Sequence, residues 1–335
     1  MSKTENEALV AATESALRAP SIFNTQPWLW RIDADTLELY ADRDRQLTTI
    51  DPDGRFLVLS CGISLHHARV ALAGAGWRIS VDRRPEPREP DLLARIRLIE
   101  PAAPSAEAVE LDQAAAVRRT DRRPFGDEPV PDEQIELLRA AARREGAQLH
   151  DVRPDQMPML AVAVASAAWA EGSDPAYRGE LLRWTNRPQW SNDGVPQATG
   201  VAHVARRVPV RDFVTAPNEG LPAEPGGDRG ARYLIVYGEE PVDWLLAGEA
   251  ASAVLLTATS LGLAVAPISD VLEVAHPRGL VRGLLPGAGE PGLVIRCGRP
   301  DDRAPIAAAP RTAWSSPSGS SDPGWVARRR AGRPR

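Results

Sequence analysis

Residues 20–28 read Pro-Ser-Ile-Phe-Asn-Thr-Gln-Pro-Trp, and residues 118–125 read Arg-Arg-Thr-Asp-Arg-Arg-Pro-Phe. The first segment follows a predicted helix and enters a predicted strand at Trp28, so its amide and hydroxyl groups head into the protein core. The second segment carries four arginines within six positions. Like charges at that spacing repel one another, and an anion bound between them relieves the repulsion. The fold and the functional site are predicted from these two segments.

The composition indicates a globular protein with two domains or one large domain, because the 335 residues are 43% hydrophobic and 25% charged. The net charge of -5 argues against a nucleic-acid partner. Lys3 is the only lysine, so an anion has to be bound by guanidinium groups, backbone amides or helix N-termini.

Two features indicate a cytoplasmic protein. Cys61 and Cys297 have no metal-binding spacing, which predicts buried thiols in a reducing compartment and no metal centre. The N-terminus is acidic and unlike a signal peptide, and the apolar stretch over residues 250–268 holds too many polar groups to be a membrane span. We therefore expect no membrane partner.

The predicted elements mix helices with strands, which indicates an α+β fold. The chain divides after Pro104 into a first half over residues 1–104 and a second half over residues 105–314. The helices are predicted over 4–18, 56–75, 106–119, 131–145, 154–170 and 243–261, and the strands over 28–32, 36–40, 94–99 and 293–297.

A faint internal repeat relates the two halves. Gly62 and Gly76 bracket one apolar helix, and Gly248 and Gly262 bracket another at the same spacing. A chance likeness between two apolar helices explains the pattern as well, since glycine is common at helix ends. Both helices are too apolar to face water, so we predict that they pack against each other.

Two further segments are irregular. Residues 185–230 are rich in Pro, Gly and Arg, and a connection of that length is a functional lid or a disordered insert. Trp184, Trp190 and Phe213 give the segment aromatic anchors and favour the lid. Residues 315–335 are Ser/Pro/Gly-rich and then Arg-rich, which predicts a disordered tail.

The two opening segments each allow a second interpretation. The arginines Arg118, Arg119, Arg122 and Arg123 bind a phosphate with help from the Thr120 hydroxyl, or they pair with nearby aspartates, namely Asp112, Asp121 or Asp127. The Asn24 and Gln26 amides face the polar edge of a flavin ring, or they hold an ordinary turn through bonds to the backbone.

Other motifs carry no function. Gly287-x-Gly289-x-x-Gly292 matches a dinucleotide-binding pattern, but it precedes a strand and opens no helix, so we predict a turn. His66 and His67 are adjacent on a predicted helix and point in different directions, which is poor geometry for a shared metal ion.

The amide-rich segment resembles the part of nitroreductase-fold flavoproteins that lies along the isoalloxazine ring. Arg118-Arg119-Thr120-x-Arg122 resembles their arginine element for the flavin phosphate and ribityl chain, and Leu261-Gly262-Leu263 with Pro267-Ile268-Ser269 resembles the loop on the other side of the ring. The strand over 293–298, followed by Arg311, resembles their final strand and its phosphate-binding residue. In the usual family the arginine element comes first in the chain. The reversed order here resembles the fused, single-chain Acg-type branch.

The resemblance implies a nitroreductase-like α+β fold in which two pseudo-symmetric halves of one chain mimic the usual homodimer, as a monomer with one FMN site. It implies electron transfer from NAD(P)H through FMN to a small-molecule acceptor of the nitroaromatic or quinone type, with no catalytic side chain required. The implied FMN-binding residues are Pro20, Ser21, Asn24, Gln26, Arg118, Arg119, Thr120, Arg122, Pro267, Ile268, Ser269 and Arg311.

The chain also departs from the family. The usual lysine near flavin N1 has no counterpart, and Ser269-Asp270 stands where active relatives have Glu-Gly. The lid-like insert over residues 185–230 can also close the ring off from substrate. The alternative function is therefore a flavin-storing protein whose covered FMN reacts weakly.

Overall fold

The computed structural model describes residues 3–33, 35–185, 187, 191–196, 206, 208–209, 211, 228–300, 306, 308–311 and 325–326. The helices are α1 Lys3–Ala16, α2 Arg55–Gly74, α3 Ala106–Val117, α4 Asp132–Arg144, α5 Met157–Ser173, α6 Pro175–Thr185, α7 Trp244–Ser260, α8 Asp270–Glu273 and α9 Ala275–Arg282. The strands are β1 Trp28–Asp33, β2 Thr36–Ala41, β3 Trp77–Arg83, β4 Leu92–Pro101, β5 Gln148–Asp151, β6 Arg232–Glu239, β7 Ala264–Ile268, β8 Gly289–Gly298 and β9 Trp325–Val326.

The strands form two antiparallel sheets with the same internal order, which confirms the predicted α+β fold. The first sheet runs β3-β4-β2-β1-β9 and the second runs β7-β8-β6-β5. In each sheet a central strand leads into a long apolar helix, and two further strands follow it, as β2-α2-β3-β4 and β6-α7-β7-β8. The sheets differ most in one connection. A turn of two residues joins β1 to β2, whereas residues 152–231, with α5 and α6, lie between β5 and β6.

Helices α2 and α7 pack directly against each other in the core, as predicted. Their contact is reciprocal at two glycines. A Cβ atom added at Gly62 would lie 2.1 Å from the carbonyl oxygen of Leu245, and one added at Gly248 would lie 2.1 Å from that of Leu59. The backbones therefore touch with no room for a side chain, and the same three-residue spacing recurs on both helices.

The predicted role of these glycines was wrong in one respect. Gly62 and Gly248 lie inside their helices, at the crossing, and do not begin them. Gly76 and Gly262 do follow the helix ends, with φ of 80° and 74°, the left-handed conformation that glycine favours there.

Several elements differ from the sequence-based prediction. Strands β3, β5 and β6 and helix α6 were not predicted. β5 has only four residues, which are too few to show the alternating pattern of a strand. β3 is the edge strand of its sheet, and more than half of its residues are polar. Pro267 and Ile268 lie in β7 and not in a loop. Trp325–Val326 pair with β1, which departs from the predicted disordered tail at those two residues.

Helix α2 is the one described helix long and apolar enough to cross a membrane. Most of its residues are buried inside the protein, against α1, α3 and α7. Its apolar character is therefore explained by its place in the core.

The α2–α7 contact predicts that Gly62→Ala is destabilising, because the new methyl group meets the backbone of Leu245 and not a movable side chain. We expect a loss of about 1–3 kcal/mol or more in the free energy of unfolding, measured by urea denaturation. Gly179→Ala in α6 is the matched control, because nothing lies within 4 Å of its added Cβ. The control should gain up to about 1 kcal/mol. Equal stability of Gly62→Ala and the wild type would contradict the close contact.

Candidate functional site

One pocket is lined by residues from before and after Pro104. It spans about 1320 Å³ when the open solvent at its mouth is included. Loop 19–24, the first half of α2, the arginine element over 118–122, the end of β7 and residues 306–311 contribute to its lining. Eleven of the twelve predicted site residues line it, namely Pro20, Ser21, Asn24, Arg118, Arg119, Thr120, Arg122, Pro267, Ile268, Ser269 and Arg311.

The amide-rich loop has a strained backbone. Phe23, Asn24 and Gln26 have φ of 45°, 53° and 51°. Non-glycine residues held in this region cost about 1–3 kcal/mol each and cluster at functional sites. The Ser21 hydroxyl accepts from the backbone N–H of Gln26 at 2.9 Å, and the hydroxyl of Ser60 on α2 accepts from another backbone N–H of the loop at 3.2 Å. These bonds hold the strained loop against the pocket.

The two amide side chains bind backbone carbonyls of the pocket wall. Asn24 Nδ2 donates to the carbonyls of Gly194 at 3.0 Å and Pro310 at 2.9 Å, and Gln26 Nε2 donates to that of Asn192 at 2.7 Å. Gln26 is buried behind the lining and does not belong to it. Through these bonds the amides tie two distant segments of the chain to the loop.

The arginine element places positive charge in the pocket. Arg118 is 4% exposed, its Nε has no hydrogen-bond partner, and neither it nor Arg119 or Arg311 pairs with a carboxylate in the described part of the chain. Burial, followed by repulsion from Arg311 and Arg119, lowers the pKa of Arg118 to about 9. Arg123 instead pairs with Asp121 at 2.8 Å. Arg123 therefore follows the aspartate-pairing alternative, whereas Arg118 and Arg119 do not.

A buried arginine on β8 holds the arginine element in place, and sequence reasoning missed it. Arg296 pairs with Asp228 at 2.7 Å, with both side chains fully buried, and it lies over the ring of Phe125 at 4.0 Å. Its Nη2 donates to the backbone carbonyls of Asp121 and Arg123 at 2.9 and 2.8 Å. An arginine inside the apolar run of a buried strand is a sequence signal for such a role.

An acidic cluster at the pocket wall was also missed. Arg211, which lines the pocket, donates to Glu171 at 2.5 Å and to Glu273 at 2.7 Å, and the Tyr177 hydroxyl donates to Glu273. Burial raises the pKa of Glu171 to about 7 and also raises that of Asp270. Of the three aromatic anchors predicted for the lid, Trp184 is buried, while Trp190 and Phe213 lie outside the described residues.

The rest of the lining is apolar. Side chains from the loop, α2, the insert, β7 and β8 contribute, namely Ile22, Phe23, Phe56, Leu59, Ile63, Val195, Ile268 and Leu293. An apolar pocket with a cluster of guanidinium groups suits a flat aromatic ligand that carries an anionic group.

Comparison with known proteins identifies relatives of this chain. The sequence is 41% identical over 306 residues to "Putative NAD(P)H nitroreductase Rv3131" of Mycobacterium tuberculosis H37Rv, across 88% of this chain and 86% of that protein. The chain belongs to the nitroreductase family. The chain is also 36% identical over 310 residues to "Putative NAD(P)H nitroreductase acg" of the same strain, across 91% of this chain and 93% of that protein.

Comparison of this nitroreductase with family models and with solved structures adds two findings. No family model matches the sequence. Among solved structures, the chain is similar to a nitroreductase with bound FMN from Desulfitobacterium hafniense DCB-2, with 15% identity and a TM-score of 0.37, over 59% of this chain and 93% of that chain. The family assignment rests on the sequence relatives, and it confirms the resemblance inferred from the motifs.

The uncompensated charge of Arg118 predicts an unusual stability effect in this nitroreductase. The pKa of Arg118 in the folded state lies below its ordinary value, so the buried charge lowers the stability of the ligand-free protein at neutral pH. Arg118→Met should therefore raise the free energy of unfolding at pH 7 by about 1 kcal/mol or more. It should also abolish the stabilisation that inorganic phosphate gives the wild type.

Thermal unfolding with and without phosphate measures both effects. Arg143→Met, at an exposed site in the last turn of α4, is the control and should change stability by less than about 0.5 kcal/mol. A destabilised Arg118→Met variant that still responds to phosphate would contradict an anion site at Arg118.

The Arg296–Asp228 pair predicts a large cost for Asp228→Asn, because Arg296 is left buried without a counter-charge. We expect a loss of about 3–5 kcal/mol in the free energy of unfolding, measured by denaturant titration. Asp127→Asn removes an exposed partner of Arg229 and should cost less than about 1 kcal/mol. A similar small cost in both variants would show that Arg296 does not depend on Asp228.

Proposed function

We propose that the protein binds one FMN per chain and is an NAD(P)H oxidoreductase that reduces nitroaromatic or quinone-type small molecules. The observation that carries this proposal is the cluster of guanidinium groups at Arg118, Arg119 and Arg311, which opens on an apolar pocket without carboxylate partners among the described residues. The name of the Mycobacterium tuberculosis relative Rv3131 supports the choice of reductant and of reaction.

The residues of the pocket fit FMN. Arg118, Arg119 and Arg311 would hold the phosphate, since a phosphate accepts several charge-assisted bonds. It would also relieve the repulsion that, after burial, lowers the pKa values of Arg118 and Arg311. The Thr120 hydroxyl and Arg122 lie beside them in the lining. When bound, FMN supplies the electron-transfer chemistry, and the protein contributes position and electrostatics.

The ring of the cofactor would lie between the strained loop and the end of β7. Pro20, Ser21 and Asn24 line one part of the pocket, and the segment from Pro267 to Ser269 lines another. The strained backbone of the loop is costly unless it has a purpose, and a fixed ring position gives it one. Gln26 supports this arrangement from behind the wall, through its bond to Asn192.

We further infer that the halves over residues 1–104 and 105–314 act as a pseudo-dimer within a monomer. The equal strand order of the two sheets and the reciprocal contact of Gly62 and Gly248 support a pseudo-twofold relation. The amide element occurs in the first half only, and the arginine element in the second half only. Together they make one site.

The place where a second site would open supports the same conclusion. If Gly62 corresponds to Gly248, then the pocket residue Ile63 corresponds to Glu249. Glu249 is fully buried and pairs with Arg69 and Arg83, each at 2.7 Å. Buried ion pairs therefore take the space in which a second apolar pocket would have to form.

Flavin storage is the second candidate function, and one observation favours it. Val195, Pro196 and Arg211 of the predicted lid line the pocket, and Arg211 is anchored by buried ion pairs to Glu171 and Glu273. An insert that contributes to the lining in this way would limit access to the ring. We place either function in the reducing cytoplasm, because Cys61 and Cys297 are free and buried.

Anaerobic mixing of the FMN-loaded protein with NADPH or NADH separates the two candidates. Loss of the flavin absorbance band, and its return when a quinone is added, supports the oxidoreductase. A flavin that stays bound and oxidised after prolonged mixing would overturn the oxidoreductase and favour storage.

The FMN site predicts a stoichiometry and a mutant effect. FMN titration of the cofactor-free protein should end at one FMN per chain. Arg119→Ala should weaken binding by about 1.5–3 kcal/mol, because it removes a charge-assisted bond, and this corresponds to roughly 10- to 150-fold in Kd. Arg143→Ala, far from the pocket, is the control. Two FMN per chain, or an unchanged Kd in Arg119→Ala, would contradict the assignment.

A further inference from the structure

Asp270 is an acid in the pocket that the proposed function does not yet use. It lies directly after Ser269, at the start of α8, and it is 6% exposed and part of the pocket lining. Its Oδ1 accepts one hydrogen bond, from the backbone N–H of Val271 at 2.9 Å. No cation of the described chain lies within ion-pair distance of its carboxyl group.

No other described residue of the lining carries a side chain that commonly donates a proton near neutral pH. The described lining contains guanidinium groups, three serines, one threonine, one asparagine and apolar side chains, and Asp270 is its one carboxyl, imidazole, thiol or phenol group. A group that donates a proton to a molecule bound in this pocket is therefore Asp270 or water.

The surroundings of Asp270 favour its protonated form. Glu171 on α5 and Glu273 on α8 share the guanidinium of Arg211, and the Tyr177 hydroxyl of α6 also contacts Glu273 and Arg211. With Asp270 this makes three buried carboxyl groups near one arginine. Burial raises the pKa of Asp270, the negative charge of Glu273 raises it further, and Arg211 opposes both.

The other two acids of the cluster are less suited to react. Glu273 accepts hydrogen bonds from the Ser269 hydroxyl at 2.7 Å, from Arg211 and from Tyr177, so three side-chain donors already stabilise its negative charge. Glu171 does not line the pocket. Arg211 and Glu273 are positioning residues, because they fix the charges that face Asp270.

We propose that Asp270 is the proton donor to the acceptor molecule, an inference that rests on the proposed flavin-dependent reduction. A quinone that becomes a quinol takes up two electrons and two protons. Both electrons and one proton come from the reduced flavin, and the second proton comes from Asp270. The O–H bond of the Asp270 carboxyl breaks as an O–H bond forms on the acceptor, and the carboxylate regains its proton from solvent.

The test compares two acceptors on the same reduced protein. The full-length, FMN-loaded protein is reduced anaerobically, with NADPH or with dithionite, and is mixed rapidly with benzoquinone or with ferricyanide. Ferricyanide takes an electron and no proton, so it does not need an acid. Asp270→Asn keeps the shape of the side chain and removes the acidic proton. It should slow reoxidation by benzoquinone about 100-fold or more and leave reoxidation by ferricyanide unchanged.

Asp112→Asn is the matched control. Asp112 is a half-buried carboxyl on α3 whose pKa is also raised by burial, but it does not line the pocket. It should leave both rates unchanged. A readout independent of turnover is the infrared carbonyl band of a protonated carboxylic acid, which should be present in the FMN-loaded wild type near neutral pH and absent in Asp270→Asn.

The wild type gives a second test that needs no variant. Its benzoquinone rate should fall as the pH rises and Asp270 loses its proton, whereas its ferricyanide rate should not follow that change. Equal benzoquinone rates in wild type and Asp270→Asn, or an equal slowing with both acceptors, would overturn the proposal. If NADPH fails to reduce the flavin but the dithionite-reduced protein still shows the difference between acceptors, the NAD(P)H assignment fails and the role of Asp270 stands.

Discussion

The close contact of α2 and α7 is the constraint on which the rest of the structure depends. Because Gly62 and Gly248 carry no side chains, the helix backbones meet directly. The position of each helix in turn sets the position of the sheet that packs against it. The pocket lies beside this contact, with Leu59 and Ile63 of α2 on one side and Leu293 of β8 on another. A wider spacing of the helices would separate the amide-rich loop from the arginine element, which lie about a hundred residues apart in the chain.

Charge is distributed around the pocket in two contrasting ways. Arg296 and Asp228 neutralise each other and fix the backbone that carries the arginine element, so their roles are structural. Arg118, Arg119 and Arg311 are left without such partners in the described chain, which makes them available to a ligand. Tyr177, Glu171 and Glu273 neutralise Arg211 in turn. The pocket lining thus contains both arginines with carboxylate partners, such as Arg211 and Arg296, and arginines without one among the described residues, such as Arg118.

Much of the architecture could be predicted from the sequence, because strong apolar periodicity marks α1, α2, α4 and α7 and short turns mark the β1–β2 hairpin. The arginine element was found for a similar reason, since clustered like charges need an explanation. Strand β5 was missed because four residues show no period. Arg296 and Asp270 were missed because their importance depends on partners 68 and more residues away, or on a cavity that only the fold creates. Gln26 was placed in the lining because sequence shows that an amide is near a site but not which way it points.

The connection between β5 and β6 has a consequence for how such a protein can change. The two sheets share one strand order, yet residues 152–231 are inserted in the second and a two-residue turn occupies the matching place in the first. In an assembly of identical subunits, any insertion appears in every copy and alters every site alike. A single chain that holds both sheets is free of that restriction. It can lengthen one connection beside one sheet and keep the matching connection of the other sheet short, so that the two sheets become different within one chain.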